Sequence, residues 1–234
     1  MKAIYKRELH AYFTSPIGYI VLIASLILSG FLFGLFNLSG ASTSMLYFFS
    51  YMSLIFILLV PLMTMQLWSE ERKNRTDQLL LTSNVSVGSI IIGKYLASVT
   101  LFLITVLVML LYPLTMSLYG NVIWSYVFVM YLGYFLMGCA LLSVGLFVSS
   151  LTESQIVSAI ITFVIIMFMK LADPIAEATK ISGVSAVIKW FSIFSRFDTF
   201  IWGVVDISTL VYYVTFAALF LFLAVMSIEK RRWS

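Results

Sequence analysis

The residues that come closest to a binding motif lie in Gly88–Tyr95, which reads GSIIIGKY. Their spacing approaches the phosphate-binding loop G-x-x-x-x-G-K-[ST], in which small residues let backbone amides surround phosphates and a Ser or Thr binds Mg²⁺. Here the middle positions are mostly bulky isoleucines, and Tyr95 replaces the hydroxyl ligand. We therefore expect that the chain alone does not bind ATP. Lys94 is interpreted as a charge at the cytoplasmic end of a membrane span, with Gly88 and Gly93 allowing close helix packing.

A second enzymatic pattern lies just upstream, where Glu70–Arg75 reads EERKNR and resembles the E-E-x-x-x-R motif of CAAX-type intramembrane proteases. That chemistry needs a glutamate to activate water and histidines from other helices, but the chain has a single histidine, His10. One His and one Cys, Cys139, are also too few for a metal cluster. We predict no catalytic residue, no metal site and no cofactor in this chain. Glu71 and Arg75 are spaced to pair along a helix.

Composition places the chain in a membrane. Hydrophobic residues make up 62% of its 234 residues and charged residues only 10%, whereas soluble domains are about one quarter charged. One soluble core of this size cannot hide so much apolar surface, so we predict an integral membrane protein. The apolar runs are continuous rather than alternating, which excludes a membrane β-barrel.

Gaps between charged residues locate the membrane spans. No Asp, Glu, Lys or Arg occurs in Ala11–Ser69 or in Tyr95–Thr152, and each block has room for two spans of about 20 residues. Two further uncharged runs, Ser154–Met169 and Ile207–Ile228, each fit one span. We therefore predict an all-α membrane protein with six transmembrane helices, at roughly 17–36, 46–67, 95–118, 124–148, 154–172 and 207–228.

The distribution of Lys and Arg predicts the orientation. With six spans, both termini and the 68–94 loop lie on one side, which carries Lys2, Lys6, Arg7, Arg72, Lys73, Arg75, Lys94, Lys230, Arg231 and Arg232. The other side has Lys170, Lys180, Lys189 and Arg196. Because positive residues are retained on the cytoplasmic side, we expect both termini in the cytoplasm and the protein in the cytoplasmic (inner) membrane. The basic residues do not form the clustered face that nucleic-acid binding requires.

Residues 1–15, before the first span, have the pattern of an amphipathic helix. Apolar residues fall on one half of a helical wheel and Lys6 and Arg7 on the other, while Glu8 departs from the pattern. We predict an elbow helix that lies in the membrane interface. Ser15 and Pro16 then resemble the N-cap and first residue of the next helix. The alternative is a basic tail that only sets the orientation.

Two loops face the predicted cytoplasmic side. The first, residues 68–94, is the most polar segment of the chain and far longer than a turn between two spans needs, so we interpret it as a docking surface. Ser86 is the predicted N-cap of the helix that follows. The second loop, residues 149–155, has Glu153 as its only charge. It fits a simple turn as well as it fits a contact.

The order and spacing of these segments resemble a permease subunit of an ABC-2 type transporter, close to the gliding-motility and nitrous-oxide-reductase-maturation branch. The resemblance covers nearly the whole chain and rests on Lys6–Ile20, Ser69–Ala97, Ser149–Ala159, Arg196–Tyr213 and Glu229–Trp233. The first loop of that family often reads E-x-x-x-G-T-x-E-L-L-L-T-x-P. This chain keeps Glu71, Thr76, Leu79, Leu80, Leu81 and Thr82, but has Arg75 for the Gly, Gln78 for the second Glu and Asn84 for the Pro.

The resemblance implies the six-helix fold with an elbow helix and an outer segment, residues 173–206, that re-enters the membrane between spans five and six. It also implies an exporter that works as a dimer with a second permease copy or homologue, and two ATPase subunits that bind ATP and Mg²⁺. An accessory membrane or extracytoplasmic subunit is a further expected partner. ATPase contacts would fall on the two loops, at Glu70, Glu71, Arg72, Arg75, Thr76, Asp77, Gln78, Thr152 and Glu153, with Lys6 and Arg7 in the elbow.

Two other functions remain open at this point. The chain could be an ATP-independent channel or carrier, or the membrane anchor of a larger complex. The predicted spans lack the central acid or base that ion-coupled transporters usually need, which favours transport powered by a separate subunit. The substrate is not specified, because an apolar and aromatic pathway is compatible with lipids, peptides or drugs.

Overall fold

The computed structural model describes residues 1–40, 42–78, 85–178 and 192–232, and all regular structure in these ranges is helical. The predicted all-α class is therefore confirmed. The helices are α1 (Lys2–Thr14), α2 (Pro16–Phe33, continued by a π-helical turn at Gly34–Leu38), α3 (Leu46–Thr64), α4 (Ser69–Lys73), α5 (Val87–Met109), α6 (Leu111–Ser117), α7 (Trp124–Leu151), α8 (Gln155–Ala178), α9 (Ile193–Ile201) and α10 (Ile207–Arg232).

Six helical stretches in the described ranges are long and apolar enough to cross a membrane. They cover Pro16–Leu38, Leu46–Lys73, Val87–Ser117, Trp124–Leu151, Gln155–Ala176 and Ile207–Lys230. Each coincides with one of the six predicted spans. The chain is thus a multi-pass membrane protein. The third span begins before its predicted start at residue 95, because the helix extends back to the cap at Ser86.

Helix α7 lies at the centre of the bundle. Two thirds of its most apolar window, 67%, is buried, and it packs against α3, α5, α8, α9 and α10. Three glycines let neighbours approach its backbone. A Cβ atom at Gly133 would collide with the Phe200 ring, one at Gly138 with Phe102, and one at Gly145 with Thr64. Close backbone approach through small residues is how membrane helices gain packing energy.

Two helix starts follow the signals in the sequence. The Ser15 side chain accepts a hydrogen bond from the Ile17 amide, and Pro16 occupies the first helical position of α2. The Ser86 side chain accepts one from the Ser89 amide and caps α5. Both predicted caps are confirmed.

Helix α1 packs against the bundle by its apolar half. The Tyr5 hydroxyl lies 3.0 Å from that of Thr100 in α5, and the buried Tyr12 hydroxyl donates to the Met63 carbonyl in α3 at 2.7 Å. Gly93 of α5 lies so close to α1 that a Cβ atom there would be 3.2 Å from Ile4. The predicted elbow helix is present, and its location in the membrane interface stays a prediction.

The region between spans five and six contains one described helix, α9. Residues 179–191 of the predicted re-entrant loop lie outside the described ranges, so the re-entrant path stays a prediction. Phe197 and Phe200 of α9 are buried, and the backbone carbonyl of Ile193 accepts a hydrogen bond from Tyr213 in α10. Asp206 then caps α10 by accepting bonds from Ser208, and these bonds lower the pKa of its carboxyl.

Candidate functional site

The phosphate-loop motif folds as regular helix. Gly88–Tyr95 lies entirely within α5, so its amides bond along the helix rather than surrounding a phosphate. Gly93 allows the close approach of α1, as predicted. Gly88 does not serve this purpose, because a Cβ atom there would meet only open space. The prediction for Gly88 was therefore wrong.

Lys94 lies near the start of α5, at one end of the third span, and is buried. Its side chain is 1% exposed. The ammonium donates to the Leu67 carbonyl at 2.7 Å and lies 3.0 Å from carboxylate oxygens of both Glu8 and Glu71. It also lies 5.5 Å from the centre of the Trp68 ring, within cation–π range. Its position near the end of a span agrees with the interpretation from the sequence, but its burial was not predicted and results from the packing of α1 and α4 over α5.

Four charged side chains form an ion cluster at this end of the bundle: Arg7, Glu8, Glu71 and Lys94. Arg7 Nη2 lies 2.6 Å from Glu8 Oε1 and 2.5 Å from Glu71 Oε1. The two carboxylate side chains are only 12% and 14% exposed. Two positive and two negative charges leave the ion cluster neutral, which is the condition under which buried charges are tolerated.

The ion cluster explains two features of the sequence. Glu8 departs from the amphipathic pattern of α1 because its partner is Lys94 of α5. The predicted pairing of Glu71 with Arg75 was wrong. Helix α4 ends at Lys73 and Arg75 has left-handed backbone geometry, while the Glu71 carboxylate meets Arg7 and Lys94 instead.

Arg7 also keeps its charge within the ion cluster. Burial alone would lower the pKa of its guanidinium, but the Glu8 and Glu71 carboxylates outweigh that effect and raise the pKa. Its side chain remains 51% exposed. Arg7 thus lies on the solvent-facing side of the ion cluster, and Lys94 lies on the side that faces the interior of the bundle.

Helix α4 is also tied to the turn between α7 and α8. Arg72 donates to the Leu151 carbonyl at 2.8 Å and pairs with Glu153 at 2.5 Å. The Ser149 hydroxyl accepts hydrogen bonds from the amides of Trp68 and Ser69, at 3.0 and 3.2 Å. The 68–94 loop and the 149–155 loop, which are separate candidates in the sequence, are therefore joined into one surface by the fold. We call this end of the bundle, where α1, α4 and the α7–α8 turn meet, the charged end.

The predicted contact residues divide between this surface and the interior. Glu71 and Arg72 are largely covered, and Asp77 and Thr152 are partly covered. Residues 79–84 lie outside the described ranges. The exposed predicted residues are Glu70, Arg75, Thr76, Gln78 and Glu153, and together with Lys73, which was not predicted but is exposed beside them, we call them the polar face. Lys6 of the elbow is exposed at the same end, next to the ion cluster.

Sequence reasoning missed three residues of this site. Glu8 and Lys94 were not assigned to it, although a charge off the pattern of α1 and a lysine beside a long apolar run were the available signals. Ser149 gave no signal, because a serine at a helix end is common. These residues lie far apart in the chain, and only the packing of α1, α4, α5 and α7 brings each to its partner.

Comparison with known proteins agrees with this architecture. A family model described as ABC-2 type transporter matches residues 1–204. The match includes α1, the ion cluster, the polar face and the first five spans. A search of curated proteins found no match. Because the family model covers most of the chain, the protein belongs to the ABC-2 type transporter family.

Proposed function

We propose that this chain is the permease subunit of an ATP-binding-cassette exporter, driven by a separate ATPase subunit that binds ATP and Mg²⁺. Membership of the ABC-2 family and the six apolar helices support a role in transmembrane transport. The resemblance to the gliding-motility and nitrous-oxide-reductase-maturation branch supports the choice of an exporter. The proposed complex contains two ATPase subunits and a second permease copy or homologue, and it can include an accessory subunit.

The observation that carries this proposal is the way α4 is held. Its outward side, with Glu70 and Lys73 of the polar face, is exposed, while its other side is fixed to three parts of the bundle. Arg72 bonds to the α7–α8 turn, and Glu71 joins the ion cluster with α1 and α5. The turn at 65–68 connects the end of α3 directly to the start of α4. A force applied to the polar face would therefore reach several spans at once. Conformational changes are commonly transmitted by packed helices that move together as rigid units.

The proposed orientation follows from the same end of the molecule. Both termini and the polar face would lie in the cytoplasm, where an ATPase subunit can reach them. The excess of Lys and Arg on this side supports that orientation. The membrane would be the inner, cytoplasmic one.

Exchanging the charge at Glu70 tests the proposed docking. Glu70 is exposed on α4, and charge-assisted contacts at such a surface contribute about 1.5–3 kcal/mol where water is excluded. We expect Glu70→Arg to reduce the amount of ATPase subunit that copurifies with the tagged chain by about tenfold or more. The measurement is the ratio of the two subunits after purification from the native host in mild detergent.

The matched control is Glu229→Arg, the same charge reversal at an exposed position near the end of α10. It should leave the ratio unchanged. If both variants lower the ratio of the two subunits equally, the ATPase contact does not lie on the polar face. If no ATPase copurifies with the unmodified chain, the ATP-independent channel or the membrane anchor becomes the better explanation.

A further inference from the structure

The Lys94 side chain contacts three separate elements at the charged end. Its ammonium donates a hydrogen bond to the carbonyl of Leu67 in the turn after α3. It also forms ion pairs at 3.0 Å with Glu8 of α1 and Glu71 of α4. A buried lysine at the start of α5 therefore joins these three elements.

Helix α4 depends on such contacts, because it spans only Ser69–Lys73. A helix of this length is not stable by itself in water. Its amide groups at the start are bonded to Ser149, its Arg72 is bonded to the α7–α8 turn, and its Glu71 is bonded in the ion cluster. Of these anchors, the ion cluster is the one that links α4 to α1.

Charge balance makes the ion cluster sensitive to Lys94. Without that ammonium, the carboxylates of Glu8 and Glu71 would share only the half-exposed Arg7. One unit of negative charge would remain uncompensated in a site where both carboxylates are largely buried. Breaking a buried ion pair by removing one partner is far more costly than replacing the whole pair with neutral groups.

We propose that Lys94 is a positioning residue that holds α4, and with it the polar face, in the orientation that an ATPase subunit recognises, and that it does so by balancing the charge of two carboxylates. The proposal rests on the proposed function for its binding partner. Two consequences distinguish this positioning role from a general contribution of Lys94 to the stability of the bundle. Loss of Lys94 frees α4 specifically, and removal of one carboxylate compensates for that loss.

The test uses Lys94→Met, which removes the charge and keeps an unbranched side chain. In a Cys139→Ala background, a nitroxide spin label at Lys73→Cys reports the motion of α4, and one at Asn121→Cys reports the opposite end of the bundle. Lys94→Met should reduce the immobilised component of the spectrum at position 73, where Ser149 and Arg72 still hold α4, and leave position 121 unchanged. A general loss of stability would affect both labels.

Compensation is tested by adding Glu8→Gln, which leaves Arg7 and Glu71 as a neutral pair that still joins α1 to α4. This double variant should restore the immobilised component at position 73. In the chain with native Lys73, retention of the copurifying ATPase should fall by at least about tenfold, or about 1.4 kcal/mol, in Lys94→Met and recover in the double variant. The control Lys2→Met removes an exposed positive charge from the same end and should change neither reading.

A label at position 73 that is as immobile in Lys94→Met as with native Lys94, or no recovery with Glu8→Gln, would overturn the proposal. If Lys94→Met does not accumulate, Glu8→Gln alone supplies the comparison, because it leaves one excess positive charge that Lys94→Met should then neutralise. The label measurements need no ATPase. If they behave as expected while no ATPase binds the unmodified chain, the proposed function fails and the positioning role of Lys94 within this chain stands.

Discussion

At the scale of single residues, Arg75 combines an unfavourable backbone conformation with a specific turn. Its φ angle is 56°, in the left-handed region that glycine adopts most easily. The Arg75 amide bonds to the Arg72 carbonyl, and the Thr76 amide bonds to the Glu71 carbonyl at 2.9 Å. This is the Schellman arrangement that ends many helices, in which the left-handed position is usually glycine. In this chain an arginine occupies that position and carries the conformational strain.

Arg75→Gly should therefore stabilise the end of α4. Left-handed geometry costs a residue with a side chain about 1–2 kcal/mol, and the greater freedom of glycine in the unfolded chain offsets part of this. We expect a net gain of about 0.5–1 kcal/mol. Amide hydrogen exchange in a peptide covering residues 66–78 should then slow by roughly two- to fivefold. Arg75→Ala also removes the charge but keeps the strain, so equal slowing in both variants would contradict this explanation.

At the scale of helices, the packing of α7 depends on positions where only hydrogen fits. A Cβ atom at Gly145 would lie 2.2 Å from the Thr64 hydroxyl oxygen of α3, and Thr64 is fully buried. At Gly34, by contrast, a Cβ atom would meet nothing within 4 Å. The same substitution therefore has different consequences at the two sites.

Gly145→Ala should destabilise the bundle by about 1–3 kcal/mol, because one methyl group must displace the backbone of α7 or the side chain of Thr64. Gly34→Ala should be neutral or slightly stabilising, because alanine favours the helix. The measurement is the apparent Tm of each purified variant in the same detergent. A fall in Tm for Gly34→Ala as large as that for Gly145→Ala would show that the contact between α3 and α7 is not the cause.

The helices themselves could be predicted because their signals are local. Long uncharged runs located all six spans, and Ser15 and Ser86 marked two helix starts. The ion cluster could not be predicted in this way. Glu8 and Lys94 are 86 positions apart, and their pairing depends on α1 lying across α5 rather than on any pattern within either helix. The sequence marked residues 68–94 as a polar loop, but it did not predict the contacts that Glu71 and Arg72 make on the inward side of α4.

At the scale of the whole molecule, the fold separates its charges into two ends. Helix α1, helix α4, the start of α5 and the end of α10 bring Lys2, Lys6, Arg7, Arg72, Lys73, Arg75, Lys94 and Lys230 to the charged end. Among the residues that the structure describes, the opposite end has Lys170 and Arg196, whose cationic groups lie over the rings of Phe194 and Tyr212. Because exposed positive residues near span ends are retained in the cytoplasm, this asymmetry favours a cytoplasmic charged end.

Cysteine labelling tests this orientation directly. In the Cys139→Ala background, Ser42→Cys and Asn121→Cys lie at the end opposite the charged end, and Thr76→Cys lies on the polar face. We expect an impermeant thiol reagent to label the first two in intact cells and to label Thr76→Cys only after the membrane is opened. Opening the membrane also controls for accessibility, since all three positions should then react. Labelling of Thr76→Cys in intact cells would reverse the orientation, and it would leave the polar face out of reach of a cytoplasmic ATPase.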